Sequence, residues 1–376
     1  RQPINDFVYS TPAGRIEFGE DAKTCAVREL EEEIGCTVKK LDLMVSPSFT
    51  SVGLTDECII VYSAEIELTS QQNLQDCETI ERFPIELKDL KRFAEEEINP
   101  YLVYRLIPPG YTLWNEMGIY QRNLENFEET AILENVQTDR NCMNCHSFCV
   151  QDPEKMMFHL RAKHAGTILM KDGNIRKLET KTEQTMSALV YPYWHPSGNY
   201  IAFSVNDTKQ LFHTNHPNRI EVMDLASDVV IYDVERNEII TPPLTFGEES
   251  FETFPSFSAD GKTLYFCSAR KQALPDSIES LKYHLCAISF DEKTGTFGNR
   301  VDTLFHAERM DKSVSFPRVS PDGRFLMVTL ADHATFPIWH QEADLWMLDM
   351  QDGNKLVSLD ALNSTSVESY HSWSSN

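Results

Sequence analysis

Three stretches of the chain repeat one design: Pro192 to Ser204 (PYWHPSGNYIAFS), Pro255 to Cys267 (PSFSADGKTLYFC) and Pro317 to Thr329 (PRVSPDGRFLMVT). Each reads as a strand, a tight turn closed by Gly, and a second strand of alternating apolar residues. The turn residues Gly198, Gly261 and Gly323 lie 63 and 62 residues apart. That period is too long for one coil of a solenoid, but it suits four-stranded blades with insertions. Further strand-like runs, such as Asp228 to Val234 and Asp344 to Asp349, fall between the copies. A fourth copy opens at Tyr370 and reaches Asn376 where the turn Gly is due. The expectation is therefore an incomplete all-β array over 187–376, left with long unpaired edges. Trp194 and Trp373 hold equivalent places in the repeat, which makes them blade core.

A different pattern occupies the start of the chain. Gly14 to Cys36 reads GRIEFGEDAKTCAVRELEEEIGC. A helix over about Glu20 to Ile34 turns roughly 100° per residue, so Glu29, Glu32 and Glu33 gather on one side while Val27, Leu30 and Ile34 gather on the other. Three carboxylates on one face repel one another, and a divalent cation reverses that penalty. Hard oxygen donors suit Mg²⁺ or Mn²⁺, ions that keep several waters and bridge to substrate phosphates. The chemistry implied is metal-assisted attack of water on a diphosphate. Gly14 and Gly35 bracket the helix where the backbone must turn tightly, and Arg28 follows Glu20 by eight residues, within reach of an ion pair.

These spacings complete the Nudix box. Residues 1–97 resemble the Nudix hydrolases, and within them the ADP-ribose and nucleoside-diphosphate-sugar hydrolases, through NDFVYSTPAGRIE and SVGLTDECIIVYSAEIE. The resemblance implies an α/β/α sandwich, here lacking its N-terminal strands because the chain begins at Arg1 within an early one. It assigns Glu29, Glu32 and Glu33 to the metal and Glu20 and Arg28 to bracing the loop. Glu78, in an acidic loop late in the domain, becomes the candidate catalytic base alongside Glu32. It also leaves room for a homodimer. The chain departs from the branch at Val52, where Pro usually precedes the Gly of the downstream loop.

Nine cysteines do not pair off as a secreted scaffold requires. Three of them crowd into Cys142-Met-Asn-Cys145-His146-Ser-Phe-Cys149. Cys142, Cys145 and His146 form the attachment motif for haem c, two thioethers and an axial imidazole, with His159, His164, Met156 or Met157 as the sixth ligand. The same thiols with His159 and His164 have the spacing of a Zn²⁺ site, and Asp152-Pro153 would cap a helix carrying both histidines that Gly166 would end. A metal-free structural role is the third reading. Residues 98–186 are accordingly read as an irregular segment built around this motif.

Residues 98–376 resemble an extracytoplasmic protein of Bacteroidetes type that joins a cytochrome-c-like motif to TolB-like, WD40-like β-propeller repeats. The resemblance implies a haem-bearing propeller for electron transfer, or for binding a protein partner. Isolated His195, His213, His216 and His284 read as surface or core residues. A net charge of −24 argues against a nucleic-acid partner, which needs a basic surface. No run of about 18 apolar residues is long enough to span a membrane.

The two halves imply different compartments, cytoplasmic for a nucleotide hydrolase and periplasmic or cell-surface for covalent haem. The junction near Glu95 to Pro100 reads as the meeting of two unrelated coding pieces. The fold expected is thus multidomain: a truncated Nudix sandwich over 1–97, the motif segment over 98–186, and incomplete propeller blades over 187–376. The function expected is Mg²⁺-dependent hydrolysis of ADP-ribose or a nucleotide sugar, with the non-hydrolytic haem or zinc propeller as the alternative.

Overall fold

The computed structural model describes residues 12–17, 19–49, 58–69, 71–74, 80, 100–106, 117–178, 180, 185, 187–214, 218, 220–243, 249–360 and 362–374. The chain divides into two compact units, Gln2–Glu95 and Glu96–Asn376.

In the first unit, helix α1 (Ala22–Glu29) starts at Asp21, whose carboxylate accepts from the amides of Lys23 and Thr24. Those are two of the amides that a helix start leaves without partners. The expected single α-helix does not run to Ile34. Leu30–Ile34 widens into a π-helical turn, stopped by Gly35 in the left-handed conformation (φ 66°). Strands β1 (Cys36–Phe49) and β2 (Cys58–Leu68) pair antiparallel, Cys36 opposite Leu68. This helix and ribbon are what the described residues contain of the expected sandwich.

The second unit is mostly β. A three-stranded antiparallel sheet, β3 (Tyr101–Leu106), β4 (Gly118–Asn123) and β5 (Glu129–Glu134), comes first. Four four-stranded antiparallel sheets follow, each with its strands in sequence order. They are β6 (Met143–Cys149), β7 (Asp152–Leu160), β8 (Gly166–Lys171) and β9 (Asn174–Leu178), and then β10 (Leu189–Trp194), β11 (Tyr200–Phe212), β12 (Ile220–Asp233) and β13 (Glu238–Ile240). Next come β14 (Ser250–Phe257), β15 (Thr263–Arg270), β16 (His284–Asp291) and β17 (Thr296–Phe305). A single helical turn α2 (Ala307–Met310) leads to β18 (Ser313–Val319), β19 (Phe325–Ala331), β20 (Asp344–Asp349) and β21 (Lys355–Ser358). Among the described residues no sheet closes on itself.

Neighbouring sheets share cores because successive side chains on a strand point to opposite faces. Along β11, Ile201, Phe203 and Val205 pack with Met157 and Leu169 on one side, while Tyr200 and Ala202 pack with Leu264, Phe266 and Ile288 on the other. Both faces are covered over 200–205, so this half of β11 is mostly apolar on both sides, while the half beyond Asn206 is largely polar and exposed.

The described residues of 98–186 form strands β3 to β9 in place of the expected irregular segment. The helix expected to carry His159 and His164 is absent among the described residues: Met156, Met157, His159 and Leu160 lie buried on β7, and His164 ends a 3₁₀ turn at Ala162–His164. The boundary expected at 186/187 also falls inside shared packing, since Leu178 and Leu189 belong to one core.

Each first strand carries the same defect. Its pairing slips between Asn144 and Ser147, Val190 and Tyr193, Thr253 and Ser256, and Ser315 and Arg318. Inside each slip one residue takes a positive φ: Cys145 (53°), Tyr191 (50°), Phe254 (51°) and Phe316 (50°). Tyr370 shares it at 57°. Large side chains seldom adopt this conformation, and here the bulges of β10, β14 and β18 bring the rings of Tyr191, Phe254 and Phe316 together. The rings meet: Tyr191 to Phe254 at 4.7 Å, Phe254 to Phe316 at 4.0 Å and Phe316 to Tyr370 at 4.4 Å. Cys145-His146-Ser147-Phe148 thus carries the pattern of the other first strands, and aligns with Tyr370-His371-Ser372-Trp373.

Candidate functional site

Arg28 organises the start of the chain. Its Nε and Nη2 donate to the two carboxylate oxygens of Glu20 at 3.0 and 3.1 Å, a fork on a fork. The same guanidinium reaches Glu29 at 2.8 Å, Glu32 at 3.3 Å and the carbonyl of Arg15 at 3.1 Å. Glu20 in turn accepts from the amide of Glu17 at 3.0 Å. The hydrogen bonds from Arg28, then that from Glu17, hold the Glu20 carboxyl below its ordinary range.

Residues Ala13 and Gly14 cross the helix against these carboxylates. The amide of Ala13 donates to Glu33 at 3.2 Å. A Cβ on Gly14 would sit 1.8 Å from Cδ and Oε1 of Glu29, so any larger residue there must displace the Glu29 carboxylate. Beneath the π-helical turn, a second segment satisfies the freed carbonyls. The amide of Asn73 donates to Glu32 at 2.8 Å, Gln72 donates to the carbonyl of Glu33, and Thr69 donates to Gly35 at 3.2 Å. A π-helical turn is a frequent feature of functional sites, and this one carries Glu32 and Glu33.

Glu29 and Glu32 thus come together on one cation, while Glu33 turns toward the Ala13 amide. The cluster already takes a positive charge in its midst, and its donors are hard oxygens, which fits a hydrated Mg²⁺ or Mn²⁺ ion. Glu78 lies outside the described residues. Cys25 and Cys36 are buried, as expected of core thiols, and burial raises both thiols.

The cysteine motif does not assemble. Cys142 is buried among Met117, Ile119, Met143, Met156 and Leu160. Cys145 sits in the bulge of β6 under the backbone of Tyr191, and its thiol is raised by burial. His146 turns its Nε2 to the carbonyl of Val103, 3.3 Å away. His159 is buried against Thr167 Oγ1 at 2.8 Å and pushed down to about 3, chiefly by burial, so its ring is neutral. His164 is exposed and pairs with Asp139 at 2.9 Å. Haem c needs both thiols and the imidazole to face one flat group, and these three side chains are committed to separate neighbours, so the residues do not fit it. A tetrahedral zinc site fails likewise, because the ligand atoms do not converge.

Among the described residues, one other set of three metal-ligating side chains does converge: Glu221, His333 and His340. No local spacing signals it, since Glu221 is 112 residues from His333.

Residues 1–106 match the model of the NUDIX domain. The ADP-ribose pyrophosphatase of Bacillus subtilis (strain 168) is 36% identical over 97 residues, 25% of this chain and 52% of that protein. The ADP-ribose pyrophosphatase of Saccharomyces cerevisiae is 35% identical over 121 residues, 30% of this chain and 47% of that protein. The chain spans about half the length of these curated relatives. Of solved structures, an oligogalacturonate lyase in complex with manganese covers 66% of this chain and 62% of its own, at 17% identity and a TM-score of 0.37.

Proposed function

We propose that the first unit hydrolyses the diphosphate of a nucleoside diphosphate linked to a second moiety, of the ADP-ribose or nucleotide-sugar class. The observation that carries this reading is the Arg28 fork on Glu20 with Glu29 and Glu32 on the same guanidinium, set inside a matched NUDIX domain. Glu29, Glu32 and Glu33 would hold Mg²⁺ or Mn²⁺, which supplies charge neutralisation of the phosphates and an acidified water. Glu20 and Arg28 fix the loop, so that the carboxylates need not reorganise as charge develops. The Ala13 amide holds Glu33 in place, and Gly14 lets the loop cover Glu29. Glu78 is kept as the candidate base that takes the proton of the attacking water.

The second unit is read as a propeller whose first strands share one bulge. Repetition of that bulge, and of the aromatic contacts between successive strands, supports the reading. Electron transfer is not carried forward, because Cys142, Cys145 and His146 are committed to separate neighbours. Binding of a protein partner stays as the expectation for this unit. Among the described residues no helix is long and apolar enough to cross a membrane.

The test is incubation of the chain with ADP-ribose and Mg²⁺ in ¹⁸O-labelled water. AMP and ribose 5-phosphate, with the label on one phosphate, support the reading. No release of either product with Mg²⁺ or Mn²⁺, for ADP-ribose or a nucleotide sugar, contradicts it.

A further inference from the structure

We propose that Glu221, His333 and His340 form a site for a divalent transition-metal ion of the zinc class, which ties the β11–β12 hairpin to the connection between β19 and β20. Their ligand atoms lie within 4.8 Å of one another, and all three side chains are buried. Nε2 of His333 is 3.2 Å from one Glu221 oxygen, and Nε2 of His340 is 3.0 Å from the other. Two imidazoles and one carboxylate are a donor set that binds zinc and leaves a fourth position for water. The imidazoles disfavour Mg²⁺ and Ca²⁺, which take oxygen ligands.

A second observation stands behind His340. Oε1 of Glu342 lies 3.2 Å from its Nδ1, yet both atoms are buried without a hydrogen bond. A ligating imidazole characteristically gives its other N–H to a carboxylate, which orients the ring and makes it a better donor. Glu342 is placed for that role. Among the described residues, the ion pairs of Glu221 and Glu342 run only to these histidines. Two carboxylates facing two imidazoles, with no Lys or Arg paired to either, leave room for a dication.

The frame is rigid on both sides. Glu221 pairs across the hairpin with Leu211. The histidine connection is pinned by the Ala334 amide on the Leu281 carbonyl at 2.8 Å and by Ser313 on the Ala334 carbonyl. Phe336 is buried against Tyr191 and Phe254. An ion here would link the sheet of β10–β13 to that of β18–β21, past the sheet between them in sequence.

The chain, stripped with a chelator and kept in millimolar Mg²⁺ to occupy the first unit, is titrated with Zn²⁺ against a chromophoric chelator. One equivalent should bind at about micromolar affinity or tighter. His333→Gln and His340→Gln should each weaken it by about 100-fold or more, while Glu33→Gln leaves it unchanged. X-ray absorption on the unsubstituted zinc-loaded chain keeps the test alive if a variant fails to fold. It should show nitrogen and oxygen neighbours at about 2.0–2.1 Å with imidazole scattering and no sulfur. No bound equivalent, affinity untouched in both folded histidine variants, or a sulfur shell overturns the proposal.

Discussion

The indole N–H of Trp373 donates to the carbonyl of Arg318 at 2.9 Å. The same contact joins Trp194, on the first strand of one sheet, to Ser147, on the first strand of the sheet before it, at 3.3 Å. Trp373 stands three residues after Tyr370, which has a positive φ, and Arg318 two after Phe316; Trp194 and Ser147 stand three and two after Tyr191 and Cys145. The C-terminal segment thus docks on β18 as β10 docks on β6, and Gln151 donates to the carbonyl of Trp373 at 2.9 Å on its other side.

Removal of residues 370–376 should lower the melting temperature of the second unit. Trp373→Phe keeps most of the packing and loses the indole hydrogen bond, at a cost of about 1 kcal/mol. Trp194→Ala, at a buried site, should cost about 3–5 kcal/mol. Calorimetric scans check the series. A melt unchanged by the deletion would show that the segment closes nothing.

Gly14→Ala should leave the first unit folded and lower kcat on the order of 100-fold, because the added methyl displaces Glu29. Steady-state kinetics with ADP-ribose read it. An effect confined to KM would place Glu29 in substrate binding alone.

Arg28→Lys keeps the charge but not the fork on Glu20. Its kcat/KM should fall on the order of 10-fold or more, with a higher Mg²⁺ concentration needed for half-maximal rate. Equal kinetics in the two proteins would reduce the fork to a local brace.

Buried acids and histidines set opposite pH slopes in the second unit. Burial pushes Asp224 up to about 7, against hydrogen bonds from Asn206 and Tyr283, and pushes Glu252 up to about 7 as well. Between pH 4 and 7 the folded unit therefore holds protons that the unfolded chain releases, and its stability falls as pH rises through that window. His159, held near 3, does the reverse: its contribution is lost as pH drops below about 6.5. Asp224→Asn removes one falling slope, so its stability at pH 8 relative to pH 5 should rise by up to a few kcal/mol over that of the parent. Denaturant melts at the two pH values decide it. An identical difference in both proteins would mean that Asp224 titrates normally.

Much of this was legible in the sequence, and the rest was hidden for physical reasons. The spacing from Gly14 to Gly35 gave the Arg28 to Glu20 pair and the left-handed stop at Gly35, because both are local. It missed the π-helical turn, whose freed carbonyls are satisfied by Thr69, Gln72 and Asn73 from farther along the chain. Cys145-His146 matched a haem motif by composition. The signal that would have corrected it was present, since His146-Ser147-Phe148 aligns with His371-Ser372-Trp373 of the repeat. The Cys145 copy lacks the turn glycine that marks the other copies, and ends in Val150-Gln151, both at positive φ. Glu221, His333 and His340 meet only through packing of three sheets, which no spacing encodes.

The central claim is that the Glu29, Glu32 and Glu33 cluster supports metal-dependent diphosphate hydrolysis. Glu33→Gln keeps the volume of the side chain and removes one ligand charge, so kcat/KM for ADP-ribose with Mg²⁺ is the direct measure. A fall on the order of 10³-fold or more, with the circular dichroism of the first unit unchanged, is the result expected for a lost metal ligand. Activity within about threefold of the parent, a difference of less than 1 kcal/mol in the barrier, would contradict the account.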